Sequence, residues 1–409
     1  RRLVAGFILS VAVLVAAVTG VLWRRSEAAR EQARAEALRA EAGKLLALAK
    51  VSLEDDSTAA LAYARESLNL YDTPEARRLV LEILWRGPVA RVLDLKQAAT
   101  TLGLPAELGR VWNPVFSPDG RWFAVEPEDA SAVLLFERDG GTARSLSDLP
   151  DTELGILGFG PRSDLLVRGG PGSSLRFWSV PDLREQRTVP IPSAIAPWGR
   201  VWGETIVLYA GTSAGGQSVW VMGFSDEGPR VRATVPDGSY PWPGGDADAT
   251  HTIVLRLPGD VALLSLDGTN RRQPVGEMPA DLAGADVSRR GDLVVASDVS
   301  GQARVWSRSD GGWRLLRALQ GPAYSGPTST IFDRQGRRFS QAGPNGSHVL
   351  WDLEEFPDAR PLVLGRPGPV NQRQETFDPT GQWLASGQIS RTRIEFWPVA
   401  SRRRRVLPG

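Results

Sequence analysis

The sequence predicts a mainly β protein, a seven-bladed β-propeller preceded by a transmembrane helix and a short helical hairpin. Three observations carry this prediction. From residue 110 onward, a unit of about 43 residues recurs. Each unit alternates short apolar strands with Gly- or Asp-containing turns, whereas the first 90 residues show helical patterns. A period of about 40–45 residues containing four short strands is typical of propellers, in which each repeat forms one four-stranded blade. Radial stacking of the blades buries both faces of each sheet.

Composition excludes several kinds of site. The 409 residues include no cysteine, so the chain has no disulfide, thiol nucleophile or thiolate metal site. A formal net charge of +1 argues against a global electrostatic attraction to nucleic acid. The two histidines, His251 and His348, lie far apart in unlike contexts and fit surface or packing positions better than metal ligation. We therefore expect no cofactor, no metal and no nucleic-acid partner.

An uncharged segment near the start predicts a single membrane span. Residues 3–23 are 21 residues without a charge, bracketed by arginine pairs. At about 1.5 Å per residue, such a helix crosses the ~30 Å hydrocarbon core of a bilayer. A cleaved signal peptide is the alternative, but its apolar core is normally about 7–15 residues long. Arginines after the span favour a cytoplasmic C-terminal side, and the orientation stays open.

Two helical segments follow the span. Residues 24–55 are rich in Ala, Arg and Glu and predict a solvated helical stalk. Residues 56–87 predict a helical hairpin that packs on itself or caps the next domain. Its second helix has a clear start, with Thr73 as N-cap and Pro74 at the first helical position. The remaining residues, 88–409, form the predicted propeller.

Seven copies of the repeat can be placed by their turns and closing aromatic residues. Four are plain, a fifth has an altered turn and two are weaker, and the first five each end in a large aromatic side chain expected to pack between neighbouring blades. The plain units are residues 115–137, 285–307, 330–352 and 375–398, the unit with the altered turn is 156–179, and the weaker ones are 198–222 and 246–268. The closing aromatics are Phe136, Trp178, Trp306, Trp351 and Trp397.

Ring closure requires one additional outer strand. Arg91–Leu95 resembles such a strand before the first unit, and Arg404–Leu407 resembles the same strand after the last. One of them is surplus, or a second propeller follows Gly409. We expect the chain to be part of a longer protein.

The repeat resembles the WD40 family. The resemblance rests on the turn Ser117-Pro118-Asp119-Gly120-Arg121 and on the closing pair Trp351-Asp352, and it covers about 300 residues. It implies a WD40-like propeller that binds partners through its loops. Only one unit closes with Trp-Asp, and the family's Gly-His pair is absent throughout. We therefore expect the family's buried His–Ser/Thr–Asp–Trp network to be missing and the blades to be held mainly by packing.

The domain order resembles that of bacterial signalling proteins in which a kinase or STAND-type NTPase precedes a membrane helix, a helical segment and WD repeats. Thr73–Arg78 before the propeller prompts this comparison. It implies a single-pass protein of the bacterial inner membrane, with an effector upstream of the present sequence.

Motifs for catalysis are weak. Gly169–Ser174 lacks the lysine of a phosphate-binding loop and fits a hairpin turn better. Glu126, Glu128 and Asp129 form a small acidic cluster, which we interpret as a solvated loop rather than a cation site. Arg402–Arg405 fits a charged outer strand better than a site for anionic lipid.

Three functions remain as hypotheses. The first is a membrane-tethered platform for protein interaction or ligand sensing, not an enzyme, with a protein or peptide partner bound by the propeller loops. The second is a propeller enzyme, such as a metal-dependent hydrolase or lactonase, and the third is a structural spacer. For the first, we expect exposed loop anchors at Arg121, Trp122, Trp202, Trp242 and Tyr324, because Trp, Tyr and Arg dominate binding hot spots.

Overall fold

The structure, a computed structural model, divides the chain into two compact units, residues 1–88 and 89–409. The backbone is described for residues 2–53, 57–86, 91–104, 111–127, 132–138, 143–147, 155–170, 173–192, 198–211, 217–235, 239–245, 250–256, 259–321, 323, 329–342, 348–354, 361–364, 373–388 and 393–399. Side chains are described from Thr19 onward within most of these ranges.

The first unit contains three helices, α1 (Arg2–Ser52), α2 (Ser57–Leu70) and α3 (Pro74–Arg86). Helix α3 starts where the N-cap signal predicts, and Thr73 Oγ1 accepts a hydrogen bond from Ala76 N at 3.1 Å. Small and aliphatic side chains from all three helices form one core, which comprises Leu46, Ala49, Leu53, Ala60, Ala64, Ala76, Leu79 and Ile83. The alanines allow the helices to approach closely, and the buried Ser67 Oγ donates to Ala42 O at 2.8 Å.

No helix is long and apolar enough to cross a membrane among the residues whose side chains are described. Most of the predicted span, residues 3–23, lies outside those residues.

The second unit contains seven four-stranded antiparallel sheets. Blade 1 is β2 (Val111–Phe116), β3 (Trp122–Pro127), β4 (Val133–Glu137) and β5 (Arg144–Leu146). Blade 2 is β6 (Ile156–Phe159), β7 (Leu165–Gly170), β8 (Ser174–Ser179) and β9 (Glu185–Pro190). Blade 3 is β10 (Trp198–Trp202), β11 (Thr205–Gly211), β12 (Gln217–Gly223) and β13 (Arg230–Val235). Blade 4 is β14 (Ser239–Gly245), β15 (His251–Arg256), β16 (Asp260–Ser265) and β17 (Arg272–Glu277).

The remaining blades follow the same order. Blade 5 is β18 (Leu282–Val287), β19 (Leu293–Asp298), β20 (Gln302–Ser309) and β21 (Gly312–Gln320). Blade 6 is β22 (Thr330–Phe332), β23 (Arg338–Ala342), β24 (His348–Asp352) and β25 (Leu362–Leu364). Blade 7 combines β26 (Arg373–Phe377), β27 (Trp383–Gln388) and β28 (Arg393–Pro398) with β1 (Arg91–Asp94) from the start of the unit.

The first strands of consecutive blades contact one another in a closed circle, from β2 through β6, β10, β14, β18, β22 and β26 back to β2. The predicted seven-bladed propeller is therefore confirmed.

Strand β1 closes the ring. It pairs antiparallel with β28, from Arg91 opposite Phe396 to Asp94 opposite Arg393. Of the two candidates for the closing strand, the one that begins at Arg91 therefore pairs with blade 7. The other, Arg404–Leu407, lies outside the described residues. The strand is one residue shorter than predicted, because Leu95 begins a short helix, α4 (Leu95–Thr101), capped by the Asp94 side chain. The helical pattern of α4 is too short to be predicted from the sequence.

The closing aromatics lie on the third strand of their blades and are all at most 5% exposed: Phe136, Trp178, Trp306, Trp351 and Trp397. Several of them pack with residues of an adjacent blade. Trp178, for example, shares a core with Trp122 and Leu135 of blade 1. These side chains fill the space between sheets, which removes apolar surface from water on both sides.

Blade 4 departs from the predicted unit of 246–268. Its first strand, β14, lies earlier, at Ser239–Gly245. This segment reads Ser-Tyr-Pro-Trp-Pro-Gly-Gly, and the register with β15 shifts between Trp242 and Gly245. Proline lacks a backbone donor and glycine weakens strands, so such a sequence does not carry a strand signal.

Candidate functional site

The first strands of the blades present a ring of seven equivalent positions. Each position is defined by its cross-strand partner, which lies two residues after the start of the second strand of the same blade. The seven ring positions are Val115, Gly158, Arg200, Trp242, Asp286, Ile331 and Thr376. They follow one another at intervals of 42–45 residues, which is the period of the repeat.

Six of these seven residues, or their immediate neighbours, line one cavity of about 500 Å³ at the end of the ring where first and second strands are joined. We call this cavity the channel mouth. Its walls come from blades 1, 2, 3, 5, 6 and 7. Because the propeller fold brings side chains from six blades together at this cavity, the channel mouth is the candidate binding site.

The ring is chemically mixed rather than acidic. Arg200 supplies a cation and Asp286 supplies a carboxylate, and the other described side chains are apolar or Thr376. Burial raises the pKa of Asp286 to about 6, and the Arg200 charge acts in the opposite direction. Asp286 Oδ2 also accepts a hydrogen bond from Phe332 N at 2.7 Å, which joins blade 5 to blade 6.

The turns between first and second strands, which we call mouth turns, form the rim of this cavity. Four of them are held by a side chain that accepts hydrogen bonds from the start of the second strand: Ser117, Ser288, Asp333 and Asp378. A glycine with φ of 67–69° completes each of these turns, at Gly120, Gly291, Gly336 and Gly381. This conformation is readily available only to glycine, so the repeated turn signal has a direct physical cause.

Arginine side chains from two mouth turns reach the same cavity. Arg289 follows Ser288 in blade 5, and Arg334 follows Asp333 in blade 6. Both are exposed. Arg334 Nη1 donates to Pro118 O of blade 1 at 3.1 Å, so this side chain reaches past blade 7 along the rim. Burial lowers the pKa of Arg334, and the nearby Arg289 charge lowers it further.

The predicted contact residues differ in how exposed their side chains are. Arg121 lies on a mouth turn, is exposed, and pairs with Glu137 at 3.1 Å. Trp122 and Trp202 are 6% and 7% exposed, so the prediction that they are exposed anchors is wrong. Each is at the turn end of a strand, where its side chain packs against an adjacent blade or strand. Trp242 is a ring position by register, but its side chain lies outside the described residues, as does all of Tyr324.

A buried polar cluster joins blades 6 and 7. His348 and the Glu375 carboxylate are fully buried and in close contact, and His348 Nε2 contacts Ser386 Oγ. Ser340 Oγ donates to Glu375 at 2.7 Å. The histidine is therefore a packing residue, as predicted. Beside the apolar packing that we expect to hold the blades mainly, this network therefore adds a polar link, which differs from the family's network but uses a buried histidine.

Ser386, His348 and Glu375 contact one another in the order of a Ser-His-Glu triad, which uses a serine nucleophile and a histidine base. Ser386 is 0% exposed, as is His348. A substrate must reach the serine oxygen for acyl transfer, so this cluster acts structurally in the conformation described.

Glu126 is also part of a buried link rather than a solvated loop, which corrects the sequence interpretation. Arg168 of blade 2 donates to Glu126 Oε1 of blade 1 through Nε at 2.8 Å and Nη2 at 2.5 Å. The two side chains are 4% and 10% exposed. Removing either side chain would leave the other charged group buried without a partner, which is unfavourable. Glu128 and Asp129 lie outside the described residues.

His251 lies elsewhere, at a second cavity of about 620 Å³ between blades 3 and 4. Its Nδ1 and the Thr250 hydroxyl are 2.8 Å apart. Over the described ranges, no group of three or more His, Asp or Glu side chains could hold a metal ion. The stretch Gly169–Ser174 spans the turn between β7 and β8, as the hairpin interpretation predicts.

Comparisons with known proteins agree with this geometry at the level of the fold. No protein-family model matches the chain, and no curated protein matches it. Among solved structures, it is similar to the beta-propeller domain of Cps50 (Swd1) from Myceliophteria thermophila. The TM-score is 0.55 at 13% sequence identity, and the match covers 71% of this chain and 97% of that one.

Seven four-stranded sheets and a closing strand from the start of the unit define the class as a seven-bladed β-propeller. At this level of identity, the similarity concerns the fold alone.

Proposed function

We propose that this protein is a platform that binds a protein or peptide partner at the channel mouth. One observation carries the proposal: a cavity of about 500 Å³ collects side chains from six blades, with apolar, cationic and anionic groups on its walls. Mixed polar and apolar concave sites of this size suit a peptide side chain or a short segment. WD40-type propellers commonly serve as interaction scaffolds, which supports the proposal by analogy.

The test is a selection of random displayed peptides on the full chain, followed by affinity measurements with Arg200→Ala. Arg200 lies in the ring, so its loss should weaken binding of the selected peptides about tenfold or more, as expected for a central binding residue. The matched control is Arg314→Ala, an exposed arginine on the outermost strand of blade 5. Equal affinities of the two variants, or a selection that yields no peptide, would refute the proposal.

The enzyme hypothesis is a weaker candidate. A metal-dependent hydrolase needs several convergent ligands, and the described ring positions include one carboxylate, Asp286. The structural-spacer hypothesis predicts that Arg200→Ala has no effect on any partner, so the experiment above separates it from the platform.

We also propose that the N-terminal helix tethers the propeller to a membrane, as part of a bacterial signalling protein. The support is the sequence itself: 21 uncharged residues bracketed by arginine pairs. The full chain expressed in a bacterial host should stay in the inner-membrane pellet after alkaline carbonate washing. A variant that begins at Arg24 should be released, and equal release of both would contradict the tether.

A further inference from the structure

The described mouth turns carry six arginines: three are neutralised locally, and Arg290 is exposed and does not line the channel mouth. Arg121 pairs with Glu137 at 3.1 Å, Arg162 with Asp164 at 3.3 Å, and Arg337 with Glu354 at 3.1 Å. Arg289 and Arg334 differ. Neither has a carboxylate within salt-bridge distance among the described residues, and both line the channel mouth. The cationic charge of the rim is therefore concentrated on the blade 5 and blade 6 side.

These two guanidinium groups face the same cavity closely enough to repel each other. Burial lowers the pKa of Arg334, and the Arg289 charge lowers it further. An anion bound between the two guanidinium groups would reduce this repulsion.

Arg334 is also held in place on the rim. Its Nη1 donates to Pro118 O, and the neighbouring Gln335 Nε2 donates to Thr380 O at 3.2 Å. A guanidinium has five N–H donors, and one of them is used in this contact. The others have no acceptor among the described residues. Because its position is fixed by the mouth turns, little additional ordering is needed when it binds a carboxylate.

We infer that Arg289 and Arg334 bind a carboxylate side chain of the partner, so that the channel mouth selects an acidic peptide segment. The inference rests on the proposed function and specifies its partner. Arginine binds carboxylates with paired N–H···O hydrogen bonds, which are stronger than neutral ones. The same cavity is lined by Val115, Phe116 and Val201, which suit an apolar side chain next to the acidic one.

The cavity fits one carboxylate better than a polyphosphate chain. The carboxylates of Glu204, Asp286, Asp333 and Asp378 line it together with the arginines. A nucleic-acid backbone carries a negative charge at every nucleotide and would be repelled by these carboxylates. A peptide with a single acidic group meets less of that repulsion when it reaches the two arginines.

The experiment uses the full chain in nonionic detergent and three fluorescein-labelled peptides of one sequence, with Glu, Gln or Lys at a single position. Fluorescence anisotropy should show the Glu peptide binding at least tenfold more tightly than the Gln and Lys peptides. The double variant R289A/R334A should weaken Glu-peptide binding tenfold or more. The matched control R162A/R337A removes two arginines of the same rim that are already paired, with Asp164 and Glu354, and should change the affinity less than twofold.

Several results would overturn the inference. Equal losses in the two double variants would show a general charge effect. Tighter binding of a single-stranded oligonucleotide or of anionic lipid vesicles, with the same dependence on Arg289 and Arg334, would assign the site to another partner. Failure of the Glu peptide to bind at about 1 mM would also refute the inference. If the Gln peptide binds equally well and Arg200→Ala abolishes that binding, the inference fails and the proposed platform stands.

Discussion

At the residue scale, His348 shows how a single buried polar side chain joins two blades. It starts the third strand of blade 6, and its two ring nitrogens contact Glu375 and Ser386 of blade 7. A buried carboxylate is costly unless it is paired and hydrogen-bonded. Glu375 has both kinds of partner, His348 and Ser340. The cluster therefore stabilises one specific packing of the two sheets.

We expect His348→Ala to lower the free energy of unfolding by about 3–5 kcal/mol, because it leaves the buried Glu375 without its main partner. Ser386→Ala is the control, since it removes a neutral hydrogen bond and should cost about 1 kcal/mol. Urea denaturation followed by tryptophan fluorescence measures both. Equal and small effects of the two substitutions would show that the cluster does not support the blade interface.

Asp286 gives a pH dependence with a defined sign. Its pKa is raised from 3.8 to about 6, chiefly by burial. The native carboxyl group therefore binds its proton more tightly than the unfolded one. The tighter proton binding stabilises the native state fully below about pH 4, and this stabilisation is lost as the pH rises to about 6. Asp286→Asn keeps an acceptor for Phe332 N, and should stabilise the propeller at pH 7 by about 1–3 kcal/mol.

The measurement is urea denaturation of the wild-type protein and Asp286→Asn at pH 4, 5, 6 and 7. The difference between them should grow with pH and level off above about pH 6. A constant difference across this range would contradict the raised pKa.

At the element scale, the mouth turns are the most regular feature of the fold. Gly336 has φ of 68°, and a Cβ at this position would lie 3.3 Å from Ser288 Cβ. Gly336→Ala should therefore cost about 1–2 kcal/mol, because a left-handed conformation is unfavourable for alanine. Gly311→Ala is the control. Gly311 does not have a positive φ and would meet no atom within 4 Å, so its substitution should change stability little.

Thermal denaturation of the two variants distinguishes the explanations. If Gly311→Ala lowers Tm as much as Gly336→Ala does, the turn conformation is not the cause.

The same turns explain why the blades are predictable from sequence. A glycine, an Asp or Ser cap and a closing aromatic recur within each plain unit, and local chemistry alone places them. The first strand of blade 4 lacks these signals, since it contains Pro241 and Pro243. Its place is set by pairing with β15 instead. Tertiary pairing, rather than local preference, decides that element.

The site is less predictable than the blades. The equivalence of Arg200 and Asp286 follows from cross-strand register, which a one-residue slip would change. Trp122 and Trp202 were misinterpreted for a related reason. An aromatic beside a turn can project into solvent or begin a buried strand, and the choice depends on the neighbouring blade. The contacts of His348 also depend on residues 27 and 38 positions away.

At the scale of the whole molecule, β1 decides whether the ring is closed. It supplies the outer strand of blade 7, and the buried Phe396 and Ile394 lie on the strand that it covers. Arg91 also donates to Arg138 O of blade 1. Without β1, blade 7 would have three strands and an unpaired edge.

A chain that begins at Leu95 should therefore be less stable than one that begins at Val89 by about 3 kcal/mol, from the loss of strand pairing and of the Leu93 contact with the core. Both variants lack the helical unit, so their difference isolates β1. Urea midpoints give the comparison. Indistinguishable midpoints would mean that another segment closes the ring.

The position of β1 also has a mechanical consequence. Helix α3 ends at Arg86 and β1 starts at Arg91, so any tension on the N-terminal helices is transmitted along the backbone to this strand first. The four residues of β1 complete blade 7, where the ring closes. A sustained pull would separate β1 from β28 before it disturbs the other six blades. The edge of β28 would then be exposed, and another extended chain could pair with it.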